Sequence, residues 1–367
     1  MKTLVETTIA KVNAGLRLSG DEALALYEQD DLLLLAELAG AVKLRKSGRS
    51  VYFNVNRHIN LTNICAARCP LCAFGRGPDS PGAFVMEQGD VLAVARQAAA
   101  EIADLGEIHM VSALHPDKPF AYYLDIVRAI KQELPAIHLK AFTAVEIQHF
   151  SRIAGLSVRE VLQALKAAGL DSLPGGGAEI LDDAVRSRIC PRKASAGEWT
   201  EVIKTAHRLG LPTNASMLYG HIETVAQRID HLLTLRAIQD ETGGFQAFVA
   251  FPFHPDNTGL PELPRVSAWE DLKMVALARL VLDNIDHIKA FWMMLTLPVA
   301  QLALAFGADD LDGTVAEEKI IHAAGAKTGI NIGKQEVIDL IRQAGFTAVE
   351  RDTFYKPLRT YGREANE

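Results

Sequence analysis

The sequence predicts an α/β protein built as a parallel (β/α) barrel, with a helical N-terminal extension and a C-terminal addition. Three observations carry this. From Val51 onward, short strand-like runs alternate with amphipathic helical stretches, at a spacing of about 30 residues. Many of the helical stretches end in Gly just before the next strand-like run, as helix C-capping requires. Seven or eight such units suit closure into a barrel better than an open sheet, and no G-x-G-x-x-G follows the first strand.

The elements follow in order. Residues 1–50 read as helical, with apolar positions at helical spacing through Leu4, Ile9 and Val12, then Ala23, Leu24 and Tyr27, then Leu32 to Leu44. Ser19 is the expected N-cap ahead of Asp21 and Glu22. The basic segment KLRKSGRS reads as a solvated helix end and a turn. The strand candidates are VYFNVNRHIN, EIHMVSA, IHLKAFT, DSLP, PTNASML, FQAFVAF and HIKAFWM. The expected divisions are 1–50 for the extension, 51–310 for the barrel core and 311–367 for a helical and strand addition that closes the barrel.

Composition bounds the function. The chain has 367 residues, 49% of them hydrophobic and 23% charged, which is a globular balance that buries a core without disulfide staples. A net charge of −7 argues against a general nucleic-acid binder. No apolar run nears the roughly 20 residues of a membrane span, and the best, Leu32 to Ala36, lies between Asp31 and Glu37. The segment MKTLVETTIAKVNAG lacks the apolar core of a secretory signal, so a soluble cytoplasmic protein is expected.

Three of the four cysteines, Cys65, Cys69 and Cys72, are spaced C-x3-C-x2-C directly after the first strand. Clustered cysteines in a cytosolic chain bind metal or do chemistry more often than they pair. Thiolates are soft ligands that favour iron–sulfur clusters or zinc. A structural zinc site wants four ligands, and no fourth lies nearby: Cys190 is remote, and His58 sits on the strand. In a parallel barrel the active site lies at the C-terminal ends of the strands. The loops there, His115 to Asp117, Thr143 to Glu146, Pro174 to Glu179, Met217 to Glu223 and His254 to Asn257, are polar or rich in Gly and Pro.

This cysteine spacing, after strand one of a βα barrel, resembles the radical SAM superfamily. The resemblance runs from about Val51 to Tyr355 and is most similar to the menaquinone/deazaflavin branch, within it to the aminodeoxyfutalosine synthases. The segments GLDSLPGGGAEI, RICPRK, TNASMLYGHIET, DETGGFQAF, LDGTVAEEKIIHAAG and VERDTFY carry it. Two departures stand out. Ser112-Ala113 replace the usual Gly-Gly before LHP, and Leu71 replaces the aromatic often found before the third cysteine.

The resemblance implies a TIM-type radical SAM barrel. It implies a 4Fe-4S cluster on Cys65, Cys69 and Cys72, with one iron left open to hold S-adenosylmethionine (SAM). Reduction of SAM gives methionine and a 5′-deoxyadenosyl radical. In the synthases this radical adds to 3-[(1-carboxyvinyl)oxy]benzoate, and the adduct rearranges and loses its carboxylate to give 6-amino-6-deoxyfutalosine for menaquinone biosynthesis. The expected partners are that small molecule and an electron donor such as flavodoxin or ferredoxin.

For SAM the expected contacts are Phe74, Ser112, Ala113, Glu146, Glu179, Lys193, Asn214 and Met217. For substrate they are His115, Thr143, Arg192, Tyr219, His221 and His254. Glycines 175 to 177 let backbone approach a ligand, with Glu179 expected on the ribose hydroxyls. On β-strand five alternate side chains point inward, so about half of Asn214, Met217, Tyr219 and His221 are expected to touch ligand. Asn257 is expected to cap its loop, Cys190 to be a buried structural thiol, and Glu318 to pair with His322 across one helix turn, beside Glu317. No general base is assigned. The competing functions are dehypoxanthine futalosine cyclase, a deazaflavin-forming radical SAM subunit and a zinc-stabilised scaffold.

Overall fold

The computed structural model describes residues 3–314, 319–325, 328–329 and 331–362. The chain begins with three helices, Leu4–Asn13, Gly20–Tyr27 and Leu32–Ser47. Each starts on a side-chain cap: Thr3, Ser19 and Asp31 accept from the backbone N–H of Glu6, Glu22 and Leu34. Ser19 and Glu22 complete a capping box. The second and third helices pack on the later helices Val225–Thr242 and Ala268–Val281. Leu26, Leu35, Leu38 and Ala39 are buried there.

Among the described residues ten strands follow: β1 (Ser50–Asn54), β2 (Asn56–Ile59), β3 (Glu107–Met110), β4 (His138–Ala141), β5 (Thr213–Tyr219), β6 (Phe245–Pro252), β7 (His287–Lys289), β8 (Asp310–Gly313), β9 (Thr347–Arg351) and β10 (Pro357–Tyr361). Strands β2, β3 and β4 form one parallel sheet. Strands β5, β6, β7, β8 and β1 form a second parallel run. The two runs meet twice. Strand β1 continues into β2 across Val55, and the bridges Lys140–Ser172 and Leu173–Thr213 join β4 to β5. The ring is thereby closed as a parallel barrel.

The predicted runs correspond to β1/β2, β3, β4, β5, β6 and β7, while DSLP supplies only the two bridges. Pro174 has no N–H to continue a ladder. Gly175 then turns away at φ +74°, and a Cβ there would stand 1.7 Å from the Asn214 carbonyl oxygen. Only glycine lets this loop lie against β5. Strand β8, DLDG, carries no apolar run and was not among the candidates; Asp310 and Asp312 are held by ion pairs to Arg351 and Lys289. All seven residues of β5 are buried, as a strand covered on both faces requires.

Strand β9 pairs parallel to β1 outside the ring, and β10 returns antiparallel on β9. The chain at 351–355 covers the end of the barrel where the strands begin. Thr353 Oγ1 donates to Glu107 Oε2 at 2.6 Å, and its carbonyl accepts from Gln246 Nε2 at 2.9 Å. The Tyr355 ring stacks on His287 at 3.6 Å and meets Tyr52 edge-on. The opposite end, where the strands finish, carries the cysteine loop and the other polar loops. Among the described residues no helix is long and apolar enough to cross a membrane. Glu317 and Glu318 lie outside the described residues; His322 sits on the short helix Ile320–Ala323, its Nε2 2.9 Å from the Thr328 carbonyl oxygen.

Candidate active site

The loop after β2 is fixed through its backbone. Cys65 N–H donates to the Arg76 carbonyl (3.0 Å), Arg76 N–H to Asn63 (2.7 Å), Ala66 N–H to Leu114 (2.8 Å) and Cys72 N–H to Cys69 (3.0 Å). Arg76 Nη1 ties the loop to the Ala73 carbonyl at 2.6 Å. Gly75 lies between two of the thiols. A Cβ at Gly75 would stand 3.3 Å from Cys65 Cβ and 3.9 Å from both the Cys65 and the Cys72 sulfur. The bare backbone there leaves room beside two thiols that face the cavity. Cys69 is buried, which pushes its thiol up to about 12 against the opposing pull of Lys193.

Among the described residues no three His, Cys, Asp or Glu side chains gather around a single point as a bare-ion site. Three thiolates that each take a different iron of a cube do not converge on one point. The soft donor set and the room at Gly75 fit such a cluster, which Cys65, Cys69 and Cys72 would hold.

A cavity of about 340 Å³ runs inward from Cys65 and Cys72 through the barrel. That is within the roughly 300–1,000 Å³ of small-molecule sites. Leu71, Phe74, Ser112 and Ala113 line its mouth with Thr143, Gly176, Gly177, Glu179, Lys193 and Asn214. Phe251, Phe253, Phe291 and Met294 form an apolar wall, with His254 beside them. His58, His109, Lys289 and Asp312 line the interior between strands.

Lys193 Nζ pairs with Glu179 Oε1 at 2.6 Å. Burial alone would lower Lys193, but Glu179 and the thiols of Cys69, Cys190 and Cys72 hold its ammonium above the ordinary range. Burial would raise Glu179, and Lys193 brings its carboxyl below the usual value. Cys190 is buried beside them, its thiol raised by burial and then by Glu179.

Of the residues expected on SAM, Phe74, Ser112, Ala113, Glu179, Lys193 and Asn214 border the cavity. Glu146 does not. It caps the helix Ala144–Ala154, accepting from Thr143 N–H (2.7 Å), and also accepts from Ser112 N–H (3.0 Å). Burial pushes its carboxyl up to about 7, against those hydrogen bonds. The Ser112 hydroxyl is turned back to Thr62, accepting its N–H at 2.8 Å. Met217 also lies off the cavity: Asn214, Ser216 and Leu218 face inward, so Met217 faces the helices.

Of the residues expected on substrate, Thr143 and His254 border the cavity. Tyr219 shares the outward parity of Met217 and donates to Asp271 Oδ1 at 2.5 Å. His221 is enclosed between Glu223 (2.7 Å) and the Leu218 carbonyl (3.1 Å). His115 Nδ1 accepts the N–H of Asp117 (3.1 Å) and of Lys118 (3.2 Å), which closes a local turn. Arg192 is exposed and lines a separate pocket of about 150 Å³ with Arg152, His149 and Gln148. For these four, and for Glu146 and Met217, the expected direct contact is corrected by their placement. Asn257 reaches the Ala323 carbonyl at 3.1 Å.

Sequence reasoning missed His58, His109, Ser216, Lys289 and Asp312. A signal was present. Polar residues recur at every second position in Asn54, Asn56, His58 and Asn60, in Glu107 and His109, in Asn214 and Ser216, in His287 and Lys289, and in Asp310 and Asp312. That period of two marks a polar inner face. Barrel interiors are usually filled by branched apolar residues, so the stripe is informative.

The radical SAM superfamily model matches residues 59–235, and the CofH/MqnC C-terminal region matches residues 242–363. An aminodeoxyfutalosine synthase of Thermus thermophilus is 47% identical, covering 96% of this chain and 95% of that protein. A 5-amino-6-(D-ribitylamino)uracil--L-tyrosine 4-hydroxyphenyl transferase of Methanopyrus kandleri is 41% identical, covering 92% of each. A cyclic dehypoxanthine futalosine synthase of Streptomyces coelicolor is 37% identical, covering 100% of this chain and 92% of that one. The crystal structure of methylornithine synthase shares the fold at a TM-score of 0.71 with 15% identity, covering 92% of this chain and 95% of that one. The chain is thus an enzyme that uses a 4Fe-4S cluster and SAM, and it belongs to the radical SAM superfamily, in the branch that carries the CofH/MqnC C-terminal region.

Proposed function

We propose that this chain is an aminodeoxyfutalosine synthase, joining the 5′-deoxyadenosyl unit of SAM to 3-[(1-carboxyvinyl)oxy]benzoate to form 6-amino-6-deoxyfutalosine. The observation that carries this is the 47% identity across nearly the whole of both chains, against 41% and 37% for the relatives with other names. When bound, the cluster supplies the electron that splits SAM into methionine and the deoxyadenosyl radical. The chain's own residues bind and shield. Glu179, paired with Lys193, is assigned to the ribose hydroxyls, and Phe74 to the adenine. Asn214 and Thr143 line the same side, and Glu146 acts through the loop at Ser112. Phe251, Phe253, Phe291 and Met294 keep water and stray hydrogen donors from the reacting carbons. The electron is assigned to a small donor such as flavodoxin or ferredoxin, reaching the exposed loop edge at Ala66 and Arg68.

The test is anaerobic turnover of the reconstituted enzyme with dithionite, SAM and 3-[(1-carboxyvinyl)oxy]benzoate, followed by mass spectrometry. A product holding both the adenosyl unit and the benzoate is expected. Free 5′-deoxyadenosine with unchanged benzoate overturns the proposal and directs the next assay to dehypoxanthine futalosine, then to tyrosine with the ribitylaminouracil.

A further inference from the structure

The proposed reaction leaves unexplained the polar side chains between the strands. His58 on β2 and His109 on β3 are register partners, and their rings stack at 4.4 Å with 27° between planes. His58 is 6% exposed, borders the cavity, and has no hydrogen-bond partner at either ring nitrogen among the described residues. Buried polar atoms are rarely left unpaired, so a ligand that completes them is the expected occupant.

The charged groups facing His58 come from four strands: Glu107 on β3, Lys140 on β4, Lys289 on β7 and Asp312 on β8. They cancel in pairs. Lys140 binds Glu107 at 2.9 Å, and Lys289 binds Asp312. Burial holds His58 down to about 4 and His109 below its ordinary range, so both rings are neutral near pH 7. A neutral imidazole still has one N–H to donate. Among the described residues no neighbour accepts from it.

Resting on the proposed function, the direction of the substrate follows. The alkene must lie near the cysteine loop, where the radical is made. The benzoate carboxylate then points the other way, between the strands. We infer that His58 is a specificity-determining residue that donates its ring N–H to the benzoate carboxylate, with the stacked His109 holding the ring in place.

The test measures kcat and KM of reconstituted holoenzyme for 3-[(1-carboxyvinyl)oxy]benzoate and for its benzamide analogue. His58→Leu is expected to raise KM for the benzoate roughly 10- to 100-fold. It should erase the preference over the benzamide, while iron content and SAM cleavage stay as in the wild type. His58→Gln, which keeps an N–H, is expected to recover most of the loss. Should His58→Leu not fold, His58→Asn, whose donor is too short to reach, carries the same expectation. An unchanged KM with normal product overturns the subsite alone, and so does loss of iron from a folded His58 variant. Absence of the adenosyl–benzoate product in the wild type overturns the proposed function and this inference with it.

Discussion

The mouth of the cavity and its interior are built by different means. The thiol side of the mouth is a single stretch of chain, Cys65 to Gly75, held by backbone hydrogen bonds, with Ser112, Ala113, Glu179 and Lys193 brought beside it from other loops. The interior is assembled one or two residues at a time from β2, β3, β5, β7 and β8. A loop tied through its backbone keeps its geometry with many side-chain neighbours, so it suits chemistry common to many substrates. A layer of strand residues is set by side-chain identity alone, so it suits selection between substrates.

The largest test of this contrast is at the mouth. Cys65→Ala, Cys69→Ala or Cys72→Ala should each abolish cluster retention and turnover, whereas Cys190→Ala should keep both. Iron per chain and methionine release measure this, and a Cys190 variant that loses iron while a Cys65 variant keeps it reverses the ligand assignment.

Next in size is Lys193→Met. It leaves Glu179 buried without its cation and should destabilise the fold by about 3–5 kcal/mol. Chemical denaturation reads the loss, and the double variant with Glu179→Gln should recover much of it. Equal stabilities of the single and double variants would remove the pair from the argument.

Tyr219→Phe separates the two faces of β5. Removing its hydroxyl leaves Asp271, raised to about 6 by burial, without its donor. A stability loss of about 1–3 kcal/mol is expected with KM for the benzoate unchanged. A raised KM would return Tyr219 to the cavity side.

A further test, of burial itself, is a slope with pH. Burial holds His58 and His207 down to about 4 and His231 to about 3. Unfolded histidine takes its proton near 6.5, so between about 6.5 and 4 the unfolded chain binds more protons. Stability should therefore fall as pH drops through that window, as seen in the denaturation midpoint. His231→Gln should flatten the slope, and a wild-type midpoint that stays level from pH 7 to 4 would contradict neutral burial.

Legibility followed the same division. The cysteine loop, the Gly-rich turn at 175 to 177 and the cap at Ser19 were visible because each is local: a few adjacent residues state their own geometry. Tyr219, His221, His115 and Arg192 were expected on the substrate, but a side chain's direction is not written in the sequence, and none of the four borders the cavity. On β5 one step of register exchanges cavity for helix packing, and Ser216 and Met217 are adjacent in sequence. His58 was weighed only as a fourth metal ligand and set aside because it sits on the strand, although the polar alternation from Asn54 to Asn60 marks an inward face.

The sequence by itself determined the βα alternation, the helical start, the clustered cysteines and their place at the end of the first strand. These rest on periodicity, capping and spacing, which act over a few residues. Only the tertiary structure decided which polar residues share the cavity, that 351–355 covers the far end, and that His58 and His109 stack. Those depend on the register in which distant strands meet, and no local pattern carries that register.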